Sequence, residues 1–180
     1  MFVQTEVTPN PNSLKFLPGK NVSNSGSFEV TRKEDTNNEL VRNLLSINGV
    51  TGVFLGQDFL SVNKKDEVVW EDIKHIVISL MSEFYSTGKE FVIANGLSRE
   101  KKQEHNEIEK KIINILETKI RPAVAKDGGD IRFKEFKDGV VKVELQGSCS
   151  GCPSSTMTLK QGVQNLLCHY LPEVKEVVAI

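Results

Sequence analysis

Residues 127–153 read DGGDIRFKEFKDGVVKVELQGSCSGCP, and the order of their signals decides how this end of the chain folds. Asp127-Gly128-Gly129-Asp130 is a turn-forming cluster. The apolar and charged residues of 131–136 then predict a strand. Asp138-Gly139 predicts a tight hairpin turn, because a type I′ turn needs positive φ at both central residues. The returning strand puts Val141, Val143 and Leu145 on one face and Lys142 and Glu144 on the other. It runs out at Gln146-Gly147, directly before Cys149-Ser150-Gly151-Cys152-Pro153. Beyond the cysteines, Leu159, Val163, Leu166, Leu167 and Tyr170 mark one side of a helix that Pro172 ends, and 174–178 reads as a closing strand. Upstream, Ile108, Ile112, Ile115, Leu116 and Ile120 trace another helix, expected to stop before Pro122. Helix, strand, strand, helix, strand is the predicted order over 106–180.

The first 88 residues predict a separate α+β unit. Strands are expected at 2–7 and 13–17, broken by Pro9-Asn10-Pro11, with a third at 28–30. Asp35, Thr36 and Asn37 offer N-cap oxygens for a short helix bearing Leu40, Val41, Leu44 and Leu45, which Gly49 is placed to end. Residues 52–55 and 59–62 form a hairpin around Gly56-Gln57-Asp58. From Trp70, the residues Ile73, Ile76, Val77, Leu80 and Phe84 predict one face of a helix ending near Gly88. Between the two units the pattern weakens, and 99–111 is a charge run with five basic and four acidic side chains, read as a solvated face. The expected architecture is therefore α+β (with an α/β character) in two small domains: 1–88, a linker at 89–105, and 106–180.

A formal net charge of -1 and a pI near 6.3 give no basic excess to attract a phosphate backbone, so nucleic acid is not expected as a partner. The start, Met-Phe-Val-Gln-Thr-Glu, lacks the basic and apolar regions of a signal peptide, and no apolar run long enough to span a membrane occurs. Three cysteines, two of them in one four-residue motif, make a poor disulfide framework and suit a reducing compartment.

A C-x-x-C between a strand end and a helix N-terminus lets both sulfurs turn toward one point, and Gly151 permits a tight ligand loop. The helix end carries unpaired N–H groups and a partial positive charge, which favour thiolate over thiol. Ser154 and Ser155 read as helix caps. A tetrahedral zinc site and a cubane cluster each take four ligands, whereas one chain provides two suitable thiols, Cys149 and Cys152. Cys168 lies 16 residues beyond Cys152, about 24 Å along a continuous helix, and is expected on the side away from Leu159 and Val163 as an unreactive thiol. His75, His105 and His169 are expected as solvated side chains. Ligand counting thus requires a second copy of the chain, and a metal centre would bridge a homodimer. The motif alone leaves zinc, cluster and thiol–disulfide redox chemistry open; against redox, a β-hairpin leads into the pair and Pro153 follows it.

The segment from about Ile108 to Val178 resembles the C-terminal domain of the NifU family. The resemblance rests on Ile120-Arg121-Pro122, Asp127-Gly128-Gly129-Asp130-Ile131, Asp138-Gly139-Val140-Val141, Gly147-Ser148-Cys149-Ser150-Gly151-Cys152-Pro153-Ser154-Ser155, Thr158-Leu159-Lys160 and Pro172-Glu173-Val174. Thr8-Pro9-Asn10-Pro11-Asn12-Ser13-Leu14-Lys15-Phe16 through Gly19 resembles the N-terminal domain of Nfu-type proteins. The resemblance implies a non-catalytic iron–sulfur scaffold or carrier: Cys149 and Cys152 of two chains would hold a bridging [4Fe–4S] cluster and pass it to apo-protein recipients, after receiving it from an upstream assembly donor. It leaves open whether a [2Fe–2S] form is carried as well. The alternative uses of the same pair are a thiol–disulfide oxidoreductase and a zinc-bridged dimer. The N-terminal unit, which has no cysteine, is expected to serve structure or partner recognition. From the residues at the start of the sequence, a bacterial cytoplasmic setting is expected, with a mitochondrial matrix ranked second.

Overall fold

The structure is a computed structural model that describes residues 2–23, 27–89, 104–149 and 153–180. Its N-terminal part is a five-stranded antiparallel sheet in the order β1-β2-β5-β4-β3, formed by β1 (Gln4–Val7), β2 (Ser13–Leu17), β3 (Phe28–Val30), β4 (Val50–Leu55) and β5 (Leu60–Lys64). The predicted hairpin is present, with Gly56 N–H donating to the Phe59 carbonyl at 2.9 Å. Because side chains alternate along a strand, each strand of this sheet has two unlike faces. Leu14, Phe16, Val53, Leu55, Leu60 and Val62 point into a core that α1 (Glu39–Leu45) and α2 (Trp70–Ser86) close with Leu40, Val41, Leu44, Val77, Met81 and Phe84. Ser13, Lys15, Phe54, Ser61 and Asn63 have the opposite parity and lie on the other face.

Two helix details differ from expectation. The cap of α1 is Asn38, whose side chain accepts from Val41 N–H; Asp35 is taken up in a short 3-10 turn (Lys33–Asp35), and Thr36 Oγ1 accepts from Asn38 N–H. In α2 the apolar face rotates: Met81 is fully buried, whereas Ile76 is 37% exposed. Val77 and Met81 are four apart and stack on one side of the helix, while Ile76 falls at its edge.

The C-terminal part is a three-stranded sheet, β6 (Gly129–Lys137), β7 (Val140–Gly147) and β8 (Glu176–Ala179), with β6 and β7 antiparallel and β7 and β8 parallel. Asp138 and Gly139 have φ of 53° and 81°, the positive values a type I′ turn demands. The parallel pair is possible because α5 (Pro153–Tyr170) crosses over between β7 and β8. Val163 and Leu167 of α5 pack with Val141, Val143 and Val177. The preceding helix does not stop at Pro122. It runs as α3 (Glu107–Ile115), a π turn (Leu116–Ile120) and α4 (Arg121–Lys126), so Pro122 falls in the first turn after the π segment, where its missing N–H costs little.

The exchange of Ile76 for Met81 in the core is measurable. Met81→Ala should destabilise the N-terminal sheet by about 2–5 kcal/mol and Ile76→Ala by less than about 0.5 kcal/mol, read from urea-dependent hydrogen exchange of its core amides. Equal losses would contradict the packing.

Candidate metal centre

The motif end of the C-terminal sheet is built by close backbone approach. The β6–β7 ladder closes with Gly129 opposite Gly147 and Asp130 opposite Gln146. Gly147 takes a φ of +65°, and a Cβ there would lie 2.6 Å from the Gly128 carbonyl oxygen. Ser148 N–H donates to that same carbonyl at 3.3 Å, and its hydroxyl donates to the Asp127 carbonyl. A Cβ on Gly129 would stand 2.7 Å from Cys149 Sγ. Glycine at 129 is therefore what gives the sulfur its place.

An ion pair holds this turn to the helix before it. Arg121, which opens α4, donates from Nε and Nη2 to the two oxygens of Asp130 at 2.8 and 2.9 Å, a bidentate pairing. Asp130 Oδ1 also accepts from Ile131 N–H at 2.8 Å, and Arg132 Nε lies 4.0 Å from Oδ2. Asp130 is only 4% exposed. Arg121, Asp130 and Ser148 were in the resemblance motifs but carried no assigned role; a charged residue directly flanking a Gly-Gly turn at a strand start was the available signal.

Cys149 is 8% exposed and belongs to the C-terminal core. Burial pushes its thiol up to about 11, the nearby charges of Asp127 and Asp130 push the same way, and the Ser148 hydrogen bond opposes them. The expectation that the helix end favours thiolate is corrected for Cys149 in this arrangement: desolvation wins, and the sulfur is a protonated thiol. Cys152 lies outside the described residues, as do Ser150 and Gly151.

Cys168, expected on the side of α5 away from Leu159 and Val163, also meets the core. It is half-buried against the C-terminal core and donates from Sγ to the Val174 carbonyl at 3.1 Å, which gives it a structural role. His75 and His169 are exposed, whereas His105 packs edge-on against Phe133 and lies 3.3 Å from Glu109. Among the described residues no group of three or more His, Cys, Asp or Glu side chains is placed to hold a metal ion. The donor chemistry of the motif fits soft, thiolate-bound metal centres, and of its two thiols the described residues include Cys149.

The comparisons with known proteins bear on both halves of the chain. Residues 3–88 match the family described as the N-terminal region of the Nfu/NifU scaffold protein, and residues 112–178 match the NifU-like domain. NifU-like protein 4, mitochondrial, of Arabidopsis thaliana is 42% identical over 184 residues; the match covers 98% of this chain and 65% of that protein. The human NFU1 iron-sulfur cluster scaffold homolog, mitochondrial, is 43% identical over 180 residues, covering 98% of this chain and 71% of that protein. The chain thus spans about two thirds of the length of these relatives. A solved NifU-like protein of Saccharomyces cerevisiae overlaps 56% of this chain and 87% of its own at a TM-score of 0.47 and 30% identity. The bacterial cytoplasmic expectation is overturned, because the relatives from Arabidopsis and human carry mitochondrial names. It rested on the first few residues, which from Val3 onward belong to the fold itself, Val3 in the N-terminal core and Gln4–Val7 as β1.

Two measurements check the site. Arg121→Ala takes from the buried Asp130 carboxylate its bidentate partner while Ile131 N–H and Arg132 remain beside it, and should cost about 1–3 kcal/mol of C-terminal stability in denaturant unfolding; a loss below about 0.5 kcal/mol would contradict the role of the pair. In the apo chain at pH 9, Cys149, located by peptide mass spectrometry, should alkylate about fiftyfold more slowly than free cysteine, since a thiol shifted to about 11 is then almost wholly protonated. A rate equal to that of free cysteine would contradict its burial.

Proposed function

The chain belongs to the Nfu/NifU scaffold family, and from that we propose that it holds an iron–sulfur cluster as cargo between two copies of itself and hands it to apo-proteins. The observation that carries the reading is the ligand count at the Cys149 turn. Cys149 supplies one soft donor, the sequence places Cys152 three residues on, and the described residues offer no further set of His, Cys, Asp or Glu to complete a four-ligand centre. A second chain brings the same two thiols, and two pairs satisfy a [4Fe–4S] cubane.

The chain's own part is binding and release. Gly129 makes room for the sulfur, the Arg121–Asp130 pair fixes the strand beside it, and the N-terminus of α5 offers partial positive charge to a net-anionic centre. Two thiolates per chain at the end of a sheet leave the cargo open to ligand exchange by the cysteines of a recipient. No catalytic residue is needed. The mitochondrial names of the relatives support the same compartment for this chain.

Anaerobic reconstitution with iron and sulfide tests the reading. Wild type should develop the visible absorption of a cluster with about four iron and four sulfide per dimer, and Cys149→Ser and Cys152→Ser should each abolish it. Retained absorption and dimeric mass in either variant would sink the assignment. Zinc at about one per dimer would favour a zinc-bridged protein instead, and insulin reduction without iron a thiol oxidoreductase.

A further inference from the structure

The face of the N-terminal sheet that carries no helix is not open to solvent: it lies on the cysteine end of the C-terminal sheet. Ser61, fully buried, donates from Oγ to the Gly128 carbonyl at 2.8 Å. Asn63 Nδ2 donates to the Gly147 carbonyl at 3.3 Å, and Gly147 N–H donates to Glu29 Oε1 at 3.3 Å. Lys15 Nζ reaches the Lys126 carbonyl at 3.4 Å, and Arg132 donates to the Ser27 carbonyl. The fit is close at the glycines. A Cβ on Gly128 would meet Ser61 Oγ at 2.7 Å, and one on Gly147 would meet the Phe54 ring at 3.0 Å. The residues that receive the N-terminal sheet are thus the turn that seats Cys149.

This seam is unlike the core on the sheet's other side. It is largely polar, and buried atoms of its strands lack hydrogen-bond partners: Ser13 Oγ and Asn63 Oδ1 on the sheet face, and Gln146 Oε1 beside Gly147. Buried polar atoms without partners weaken an interface, and polar interfaces within a chain are the ones that part. Permanent contacts are instead apolar and well satisfied.

We propose that the Ser61 face of the N-terminal sheet is a docking surface for the chain's own Cys149 turn, that the docked form excludes a second chain from that turn, and that cluster loading requires the face to let go. The exclusion rests on the bridging reading above: a bridging cluster brings the Cys149 ends of two C-terminal sheets together, and the space each would enter is the space the N-terminal sheet fills. The N-terminal sheet and the second chain therefore compete for one surface. Whatever favours one disfavours the other by the same factor, as linkage demands.

The test is a footprint of the whole chain, apo and cluster-loaded, using lysine acylation and a short alkylation pulse at fixed pH read residue by residue. In the apo wild type, Lys15, 8% exposed at the seam, should acylate far more slowly than the exposed Lys110. Ser61→Arg or Asn63→Arg, on the face away from the N-terminal core, should speed both Lys15 acylation and Cys149 alkylation by about tenfold or more while Cys168 keeps its rate. In the loaded wild-type dimer, Lys15 should label at the rate seen in Ser61→Arg. Circular dichroism melting identifies a variant that has lost its fold, and the second substitution then stands in. Rapid Lys15 labelling in the apo wild type, or no change at Lys15 and Cys149 in both variants, would overturn the docked surface. A protected Lys15 in the loaded dimer would overturn the exclusion. A chain that loads no cluster would instead end the function proposed above, and the exclusion with it, while faster Lys15 and Cys149 labelling in the two variants would still establish the docking, since in the wild type Lys15 is also held by Glu6 and the Phe59 ring of its own sheet.

Discussion

The thiol end of the protein depends on one close approach, that of the Gly147 backbone to Gly128 and Gly129. It requires positive φ at Gly147 and no Cβ at 129, and it places Ser148 N–H on the Gly128 carbonyl. Everything around it is arranged to keep that approach fixed. Arg121 and Asp130 lock α4 to the first residues of β6, the Asp138-Gly139 turn and the one-residue register shift between Phe133 and Glu135 together bring Gly129 opposite Gly147, and α5 begins where the approach ends. The result is a sulfur lodged between glycine backbone and apolar core.

Such a sulfur is well stored and poorly presented. Desolvation keeps the thiol protonated, and the N-terminal sheet lies across the turn that seats it. A carrier has two requirements that conflict in a single rigid structure: an empty chain benefits from shielding its thiols, and a loading chain must show them to a second copy. The seam between the sheets offers a way to satisfy both, because its contacts are hydrogen bonds to backbone with some polar atoms left over. The same sheet's helix-covered face is a continuous apolar core. The division of one sheet into a face that holds and a face that can release gives the N-terminal part a role in the chemistry although it contributes no ligand.

Much of the fold was legible because its signals are local. Asp138-Gly139 admits few conformations other than a tight turn, and Val141, Val143 and Leu145 alternate as a half-buried strand must; both were found where expected. What the sequence did not reveal came from tertiary context. Pro122 reads as a stop, but a π turn before it lets the helix continue. Ile76 and Met81 are both apolar, and the rotation of α2 on the sheet decides which of them is buried. Cys168 reads as an unreactive thiol on the side away from Leu159 and Val163, and only the chain after α5, folding back, offers it the Val174 carbonyl. At the site, the motif drew attention to Cys149 and Cys152, but neither the burial of Cys149 nor the Arg121–Asp130 pair follows from spacing. Both arise where the turn meets elements distant in the chain. The polar face bearing Lys15, Ser61 and Asn63 reads as ordinary strand alternation, and nothing local in it signals that it covers the cysteine turn.

The central claim is that one chain holds half a site and a second copy supplies the rest. Native mass spectrometry of the anaerobically reconstituted protein tests it most directly. The account predicts a species of two chains with a single four-iron, four-sulfide cluster, absent when either motif cysteine is replaced. A cluster retained on a single chain would contradict it.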